Sequence, residues 1–392
     1  MGKIFDIEVS KLEEIKAYIT AKEIDQQPRL WEETYEILEK NKKGLNDFLD
    51  RIGRDHLKVI FTGAGTSEFV GNTIVPFLKE QGIWVESIAT TDIVSNPQVY
   101  LKKKSKTLLI SCARSGNSPE SVATVELAEQ LVDNLYQIFL TCNPDGKLAK
   151  KSENNEKNYL LLMPKDSNDK GFAMTGSFTC MSLAGLMLFN LEKLDSFKNY
   201  VNEIKEKGQE SMSLFLEKIK EIANLDHDRI VFLGSSCLKG LSQEASLKTL
   251  ELSGGKIVTD YNSPLGFRHG PKSIVNEKTV IFIMLSQDEY TRKYDKDLLK
   301  EMSLERKGNQ IVVFDNFYDE EVEKLSDFYI NIDLEVCHDV FLMFNYIILA
   351  QKYAFYKSLY LNITPDNPCP TGEVNRVVQG VIIHKYEGDK KC

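Results

Sequence analysis

The strongest constraint on the fold of this chain is an internal repeat. Residues 55–63, DHLKVIFTG, resemble residues 226–234, DHDRIVFLG. Two further pairs of β-rich segments follow in the same order and at nearly the same offset: 107–110 with 279–282, and 137–140 with 310–313. Strand-like and helical segments alternate throughout both copies. The sequence therefore predicts an α/β fold with two copies of one unit, each a parallel sheet covered by helices on both faces.

The regions around the two copies complete the predicted domain organisation. Residues 1–50 carry apolar side chains at helical spacing and are expected to form an N-terminal helical segment. The first α/β unit is expected over residues 51–200 and the second over residues 201–362. Residues 363–392 contain three prolines and then the apolar run 377–383, which predicts an extended C-terminal tail with a strand-like end.

The composition argues against several classes of protein. Lys plus Arg total 49 against 58 Asp plus Glu, a net charge of −9, which disfavours general binding to nucleic acid or to an anionic membrane. The seven cysteines include no C-x-x-C pair, and neither a disulfide framework nor a zinc site is expected. No signal peptide is recognised, and the longest apolar segment, 340–350, is about half of the ~20 residues that span a bilayer. We expect a soluble, cytoplasmic protein.

A glycine-rich turn, TGAGTSE at residues 62–68, connects the first strand to a predicted helix. Glycines allow a tight turn and close approach to a ligand, and the N–H groups at a helix start favour an anion. The third glycine of a dinucleotide-binding fingerprint would fall at Glu68, and no Lys-Ser/Thr pair follows at Walker spacing. The turn therefore does not predict a nucleotide cofactor.

A second strand-to-helix turn, ARSGNS at residues 113–118, is followed by Pro119. Its hydroxyl groups, glycine and single arginine suit a phosphate monoester, because all can donate hydrogen bonds to it. An ordinary Ser or Asn N-cap with a proline at the helix start would have the same composition. Residue types alone leave these two interpretations open.

The second copy contains a different group of polar residues. Glu244, Lys248 and Glu251 are spaced i, i+4 and i+7 in a predicted helix and project from one face. Spacing alone favours a solvated stripe of salt bridges. The downstream segment NSPLGFRHGP, residues 262–271, places His269 in a tight Gly-Pro turn, and the pairing of a histidine turn with this helix favours a catalytic role.

Together these motifs resemble the sugar isomerase (SIS) superfamily over about residues 50–333. Further segments resemble one branch of it, galactosamine-6-phosphate deaminase/isomerase, also labelled tagatose-6-phosphate ketose/aldose isomerase. These segments are IDQQP at 24–28, RSGNSPES at 114–121, DNP at 366–368 and VNRVVQG at 374–380. With them the resemblance covers nearly the whole chain.

The resemblance implies two tandem flavodoxin-like SIS domains and the conversion of galactosamine-6-phosphate to tagatose-6-phosphate and ammonia. It assigns proton transfer to Glu251, ring opening to His269, and polarisation of substrate hydroxyls or support of Glu251 to Lys248. It assigns substrate contacts to Gly65, Thr66, Ser67, Arg114, Ser115, Asn117 and Ser118, with Arg376 as a candidate cation from the tail. No metal or other cofactor is implied. No glutamine-hydrolysing domain like that of glucosamine-6-phosphate synthase is recognised, so the expected direction is deamination.

Other functions remain open at this point. The chain could be a plain tagatose-6-phosphate ketose/aldose isomerase, or a fructosamine- or glucosamine-6-phosphate deaminase of the same superfamily. A non-catalytic sugar-phosphate sensor is a separate class, but the acidic first fifty residues suit DNA poorly and a sensor has no need of Glu251 and His269. The resemblance also implies a symmetric homodimer, in which His269 serves either its own subunit or the neighbouring one.

Overall fold

The computed structural model describes residues 2–153, 155–336, 338–376, 378 and 380–388. The strands are β1 (Lys3–Ile4), β2 (Ile7–Glu8), β3 (Leu57–Gly63), β4 (Val85–Ala89), β5 (Lys106–Ala113), β6 (Asn134–Thr141), β7 (Asn158–Leu162), β8 (Arg229–Gly234), β9 (Val258–Asn262), β10 (Thr279–Met284), β11 (Gln310–Asp315) and β12 (Phe328–Asn331). The helices of the N-terminal region and first unit are α1 (Val9–Glu14), α2 (Tyr18–Asp25), α3 (Gln27–Ile52), α4 (Thr66–Glu80), α5 (Thr90–Ser95), α6 (Pro97–Tyr100), α7 (Pro119–Leu131), α8 (Lys147–Lys151) and α9 (Gly176–Leu188). Those that follow are α10 (Leu194–Leu214), α11 (Leu216–Asn224), α12 (Cys237–Leu252), α13 (Pro264–Phe267), α14 (Glu289–Leu304), α15 (Glu320–Leu325) and α16 (Asp339–Tyr360).

Two parallel five-stranded sheets form the centre of the molecule. The first has the strand order β4-β3-β5-β6-β7 and the second β9-β8-β10-β11-β12. Counted from its own first strand, each sheet has the order 2-1-3-4-5, which is the flavodoxin-like arrangement. The three pairs of repeated segments fall on β3 and β8, β5 and β10, and β6 and β11. The predicted fold of two tandem α/β units with helices on both faces is confirmed.

The helix that precedes each sheet belongs to the repeat as well. In the first unit α3 packs against α9, and in the second α10 and α11 pack against α16. The expected boundary between residues 200 and 201 falls inside the continuous helix α10. The predicted domain limits remain predictions, but the packing divides the chain more naturally before α3 and before α10.

The two units meet through α4 and α12, which run antiparallel. Gly240 of α12 lies so close to α4 that a Cβ atom there would be 2.5 Å from the main chain of Asn72. The Asn72 amide also donates to Gln243 Oε1 at 3.0 Å. Because α4 begins at the carboxyl edge of the first sheet, this crossing brings that edge to the C-terminal end of α12.

The apolar run 340–350 lies in α16, where its side chains are buried in the main hydrophobic core. A polypeptide helix needs about 20 mostly apolar residues to span a bilayer. None of the helices that the structure describes combines the length and apolarity needed for this.

The C-terminal tail runs across the first unit. The Asp366 carboxylate accepts hydrogen bonds from the main-chain N–H groups of Ile19 and Thr20. Tyr386 bonds to Gln98 on α6 and to Gln130 on α7. The strand predicted at 377–383 includes Val377 and Gln379, which lie outside the described residues. The other residues of this run belong to no strand.

Candidate active site

The first glycine-rich turn lies at the carboxyl end of β3. Gly65 has φ 55° and ψ −128°, a left-handed conformation that favours glycine, and α4 begins at the next residue. Thr66 and Ser67 are buried in the first turn of α4. No side chain caps the N–H groups of this turn, so the helix start retains the polarity that attracts an anion.

The second turn lies beside the first, at the carboxyl end of β5. Ser118 occupies the N-cap position of α7, yet its hydroxyl bonds to Ser121 Oγ at 2.6 Å and caps no main-chain N–H. Asn117 Oδ1 accepts the Lys147 N–H at 3.0 Å, and the Asn143 amide donates to the Ser115 carbonyl at 2.9 Å. The turn is therefore held by hydrogen bonds to the segment that follows β6, and the Ser118 side chain does not act as an ordinary helix cap.

The order of the first sheet reverses between β3 and β5, which is where open α/β sheets bind their ligands. Thr62 and Ser111 are register partners at this point. Both hydroxyl groups are buried, and neither has a hydrogen-bond partner among the described residues. Buried polar groups are rarely left without partners, so these two hydroxyls mark a place for a polar ligand or water. Neither residue is among the contacts expected from the sequence, although Thr62 opens the glycine-rich turn and Ser111 lies two residues before the second turn.

Glu244, Lys248 and Glu251 form a buried triad on α12. The side chains of Glu244 and Lys248 are fully buried, and that of Glu251 is 22% exposed. Lys248 Nζ lies 3.6 Å from Glu244 Oε1 and donates a hydrogen bond to Glu251 Oε2. The three residues are therefore not the solvated stripe that their spacing also allowed.

The electrostatics of the triad follow from two carboxyl groups that share one cation. Burial raises the pKa of Glu244 to about 8, because Lys248 and the Thr66 hydroxyl oppose this effect only in part and Glu251 adds to it. Burial also disfavours the charged form of Lys248, but the two carboxylates outweigh it and hold its pKa above the ordinary value.

The triad meets the first unit at its two turns. The Thr66 hydroxyl is near enough to Glu244 to oppose the rise of its pKa, and the charge of Arg114 acts on Lys248. Glu251 in turn is close enough to Arg114 to stabilise its charged form. The structure thus brings the glycine-rich turn and the serine-containing turn to the triad, which lies more than a hundred residues after both in sequence.

Arg114 is buried and bonds to main-chain oxygens. Its guanidinium donates to the carbonyls of Gly171 at 3.5 Å, Phe172 at 3.4 Å and Arg376 at 2.6 Å. Burial lowers its pKa, while nearby Asp169 is the strongest of the carboxylates that oppose this shift. The expected phosphate contact of Arg114 remains a prediction, and in this structure the residue connects the turn to a loop and to the tail.

The structure places Arg376 at the same junction. Its Nε donates to the Asp169 carbonyl at 2.9 Å, and Nη2 donates to Asn168 Oδ1 at 3.3 Å. It also lines a cavity of about 890 Å³ together with Lys22, Lys165 and other residues beside the turn. The tail thus reaches the edge of the site, but the Arg376 side chain bonds to the loop rather than to the triad.

His269 lies away from this group. It is exposed, in the turn after α13, which is anchored to α14 by the Arg268–Glu301 ion pair at 2.8 Å. Glu251 precedes β9 and His269 follows it, so the two residues lie at opposite edges of the second sheet. Within one chain the structure does not bring His269 to Glu251.

Comparison with known proteins agrees with this fold. The SIS domain family matches residues 54–191. A D-galactosamine-6-phosphate deaminase AgaS from Shewanella sp. (strain ANA-3) is 41% identical over 97% of this chain and 95% of its own length. A tagatose-6-phosphate ketose/aldose isomerase structure from Escherichia coli has 35% identity and a TM-score of 0.86 over 94% of this chain and 97% of that one. A Clostridium novyi NT structure, provisionally assigned the same activity, has 49% identity and a TM-score of 0.96 over 98% of this chain and 100% of that one.

The fold and the site define a class of protein, the doubly wound α/β proteins with two repeated units and a polar site between them. The full-length similarities identify the family within this class. The chain belongs to the SIS family and is an enzyme of that family. Within the family it groups with the relatives named AgaS and with the structures described above.

Proposed function

We propose that this enzyme converts galactosamine-6-phosphate and water to tagatose-6-phosphate and ammonia. The observation that carries the proposal is the buried Glu244–Lys248–Glu251 triad facing the uncapped starts of α4 and α7. The helix starts and hydroxyls suit the phosphate end of a sugar, and the partly exposed Glu251 suits its first two carbons. The name of the 41% identical Shewanella relative selects the amino sugar.

In the proposed mechanism a single carboxylate carries one proton. Glu251 removes the proton from carbon 2 of the open-chain aldose, which gives an enolamine, and returns it to carbon 1. The resulting imine at carbon 2 adds water, and the carbinolamine expels ammonia and leaves the ketose. Lys248, held between two glutamates, orients Glu251, while Gly65, Thr66, Ser67, Ser115, Asn117 and Ser118 bind the phosphate end.

Ring opening is assigned to His269, which requires a second copy of the chain. An imidazole has two ring nitrogens, of which one can accept and the other donate a proton, so it can move the proton between the ring oxygen and the anomeric hydroxyl. Because His269 and Glu251 lie at opposite edges of the second sheet, we propose a symmetric homodimer in which each subunit supplies His269 to its partner. The described cysteines are free, in keeping with a proposed cytoplasmic location.

A second candidate is the simple ketose/aldose isomerisation for which the Escherichia coli structure is named. It uses the same proton transfer and differs only in the group on carbon 2. Glucosamine-6-phosphate deamination differs only at carbon 4.

The test is a product assay on the purified full chain. Galactosamine-6-phosphate is expected to release ammonia and tagatose-6-phosphate in equal amounts, and faster than glucosamine-6-phosphate releases ammonia. Turnover of tagatose-6-phosphate with no ammonia from either amino sugar would support the isomerase instead. Inactivity on all three sugar phosphates would contradict both candidates.

A further inference from the structure

The loop of residues 168–172, between β7 and α9, is bound by a residue from the N-terminal segment. Glu23 of α2 accepts the Lys170 N–H at 2.5 Å and the Gly171 N–H at 3.1 Å. Glu23 is 6% exposed and lies about 90 residues before the serine-containing turn of residues 113–118, which is called the phosphate turn below. An N-terminal side chain therefore holds a loop of the first α/β unit.

The opposite side of the same loop is bound by the phosphate turn. The Gly171 carbonyl accepts a hydrogen bond from Arg114, as does the neighbouring Phe172 carbonyl. The N–H of Gly171 thus meets Glu23, while its C=O meets Arg114. The two groups belong to the successive peptide units on either side of the Gly171 Cα atom, so a shift of this residue changes both contacts.

The contact between Glu23 and the loop leaves little room for a side chain at position 171. A Cβ atom at Gly171 would lie 2.8 Å from Glu23 Oε2, closer than a real Cβ contact allows. The loop is anchored to α9, because Asp169 accepts the N–H groups of Thr175 and Ser177 at the start of this helix, each at 2.9 Å. Because the loop is anchored in this way, we expect a movement of Glu23 to displace Gly171 and, with it, the main-chain oxygens to which Arg114 donates.

The charges around Glu23 support the same arrangement. Burial raises its pKa to about 8 and Asp169 adds to the shift, whereas the two main-chain N–H groups and Arg114 oppose it. A buried carboxyl is costly unless its hydrogen bonds are satisfied. Both of the N–H groups that satisfy Glu23 belong to this loop.

We propose that Glu23 is a positioning residue for the phosphate turn: through Gly171 it fixes Arg114, and with Arg114 the turn of residues 113–118. The proposal rests on the proposed function, since it names a residue that sets the affinity for the phosphate end of the substrate. Glu23 itself contacts no reacting atom, so it affects binding more than turnover.

The main test is Glu23→Gln. The glutamine oxygen can still accept the Lys170 N–H, but the NH2 group that replaces Oε2 would face the N–H of Gly171, donor against donor, which weakens the contact at Gly171 without a change of size. Weakening the hydrogen bonds of this buried carboxyl is expected to raise KM for galactosamine-6-phosphate about tenfold, with kcat within about twofold. Calorimetric titration with inorganic phosphate is expected to show a similar loss of affinity. Asp25→Asn is the matched control, because Asp25 lies on the same helix near Lys352 and should leave both values unchanged.

Gly171→Ala changes the same contact from the loop side, and it tests the proposal if Glu23→Gln is insoluble. It should also raise KM, and the double variant should be no worse than the stronger single one, because both break one contact. Folded variants with wild-type KM and phosphate affinity would overturn the proposal and leave Glu23 a purely structural residue. If the wild-type chain released no ammonia, the proposed function would fail, but phosphate affinity would still test Glu23.

Discussion

A lysine buried between two glutamates is the residue-level feature on which the proposed chemistry depends. Lys248 is fully buried, and its ammonium is held by both Glu244 and Glu251. Only Glu251 reaches partly exposed space, so it alone can meet a substrate. Removing either partner of a buried ion pair leaves an uncompensated charge. The triad therefore acts as a unit, with one member that faces the substrate and two that support it.

At this scale we predict the effect of Glu251→Gln. The amide keeps the size of the side chain but cannot accept a proton, so kcat should fall by at least about 100-fold. Binding of the sugar phosphate, measured by calorimetry, should persist because the two turns are untouched. The exposed Glu126→Gln on α7 is the matched control and should retain full activity. Near-normal turnover by a folded Glu251→Gln enzyme would contradict the assignment of the base.

At the level of elements, α4 and α12 are equivalent helices of the two repeats, so the two ends of their crossing are related by the repeat. These two junctions differ chemically. Counted from the glycines that end β3 and β8, Glu80 corresponds to Glu251 and Phe77 to Lys248. The second junction encloses a cavity of about 440 Å³, where Phe77 packs edge-on against His338. Without a lysine, this junction has no triad. The repeat therefore yields one candidate active site per chain.

Gly240→Ala tests the helix crossing that forms the site. The new Cβ would lie 2.5 Å from the Asn72 main chain, so α4 and α12 must separate. We expect a loss of about 1–3 kcal/mol in the free energy of unfolding, and lower kcat, because Thr66 and Glu244 move apart.

Gly44→Ala in α3 is the control for this prediction. Its Cβ would meet a side chain rather than a main chain, 2.9 Å from the Tyr159 hydroxyl oxygen, and alanine favours the helix by about 0.5–1 kcal/mol. Thermal unfolding and steady-state kinetics on both variants make the comparison. Equal stability of the two variants would show that the crossing is not as close as the structure describes.

At the scale of the whole molecule, one chain does not place all the proposed catalytic groups together. Glu251 lies at the amino edge of the second sheet, and His269 follows β9 at the carboxyl edge. Five strand residues separate these edges, a distance of roughly 15 Å. A site that uses both groups therefore needs a second subunit.

Subunit mixing tests this arrangement. Glu251→Gln and His269→Ala chains with different tags are co-expressed, and dimers that carry both tags are purified. One of the two sites in such a dimer regains both residues, so we expect about half of the wild-type activity, although each variant alone is nearly inactive. Mixed dimers no more active than the single variants would show that each chain uses its own His269.

The elements of the site could be predicted from sequence, but several of its contacts could not. The strand-to-helix turns at Gly65 and Ser115 and the helical face of Glu251 all depend on local spacing, and each lies where the pattern indicates. By contrast, Glu23 bonds to a loop almost 150 residues away, and nothing in its surrounding sequence indicates this. Arg114 was expected to meet a phosphate, yet here its bonds go to main-chain oxygens of distant segments.

The amino-acid sequence alone determined the repeat, the parallel sheets and the types of residue at each turn, because hydrophobic periodicity and turn chemistry act over a few neighbouring residues. Tertiary structure decided that the turns of one unit face the triad of the other, and that Lys248 is buried rather than solvated. It also decided that His269 and Glu251 lie apart. These outcomes depend on the close crossing of α4 and α12 and on the direction of β9, which arise from packing between residues far apart in the chain.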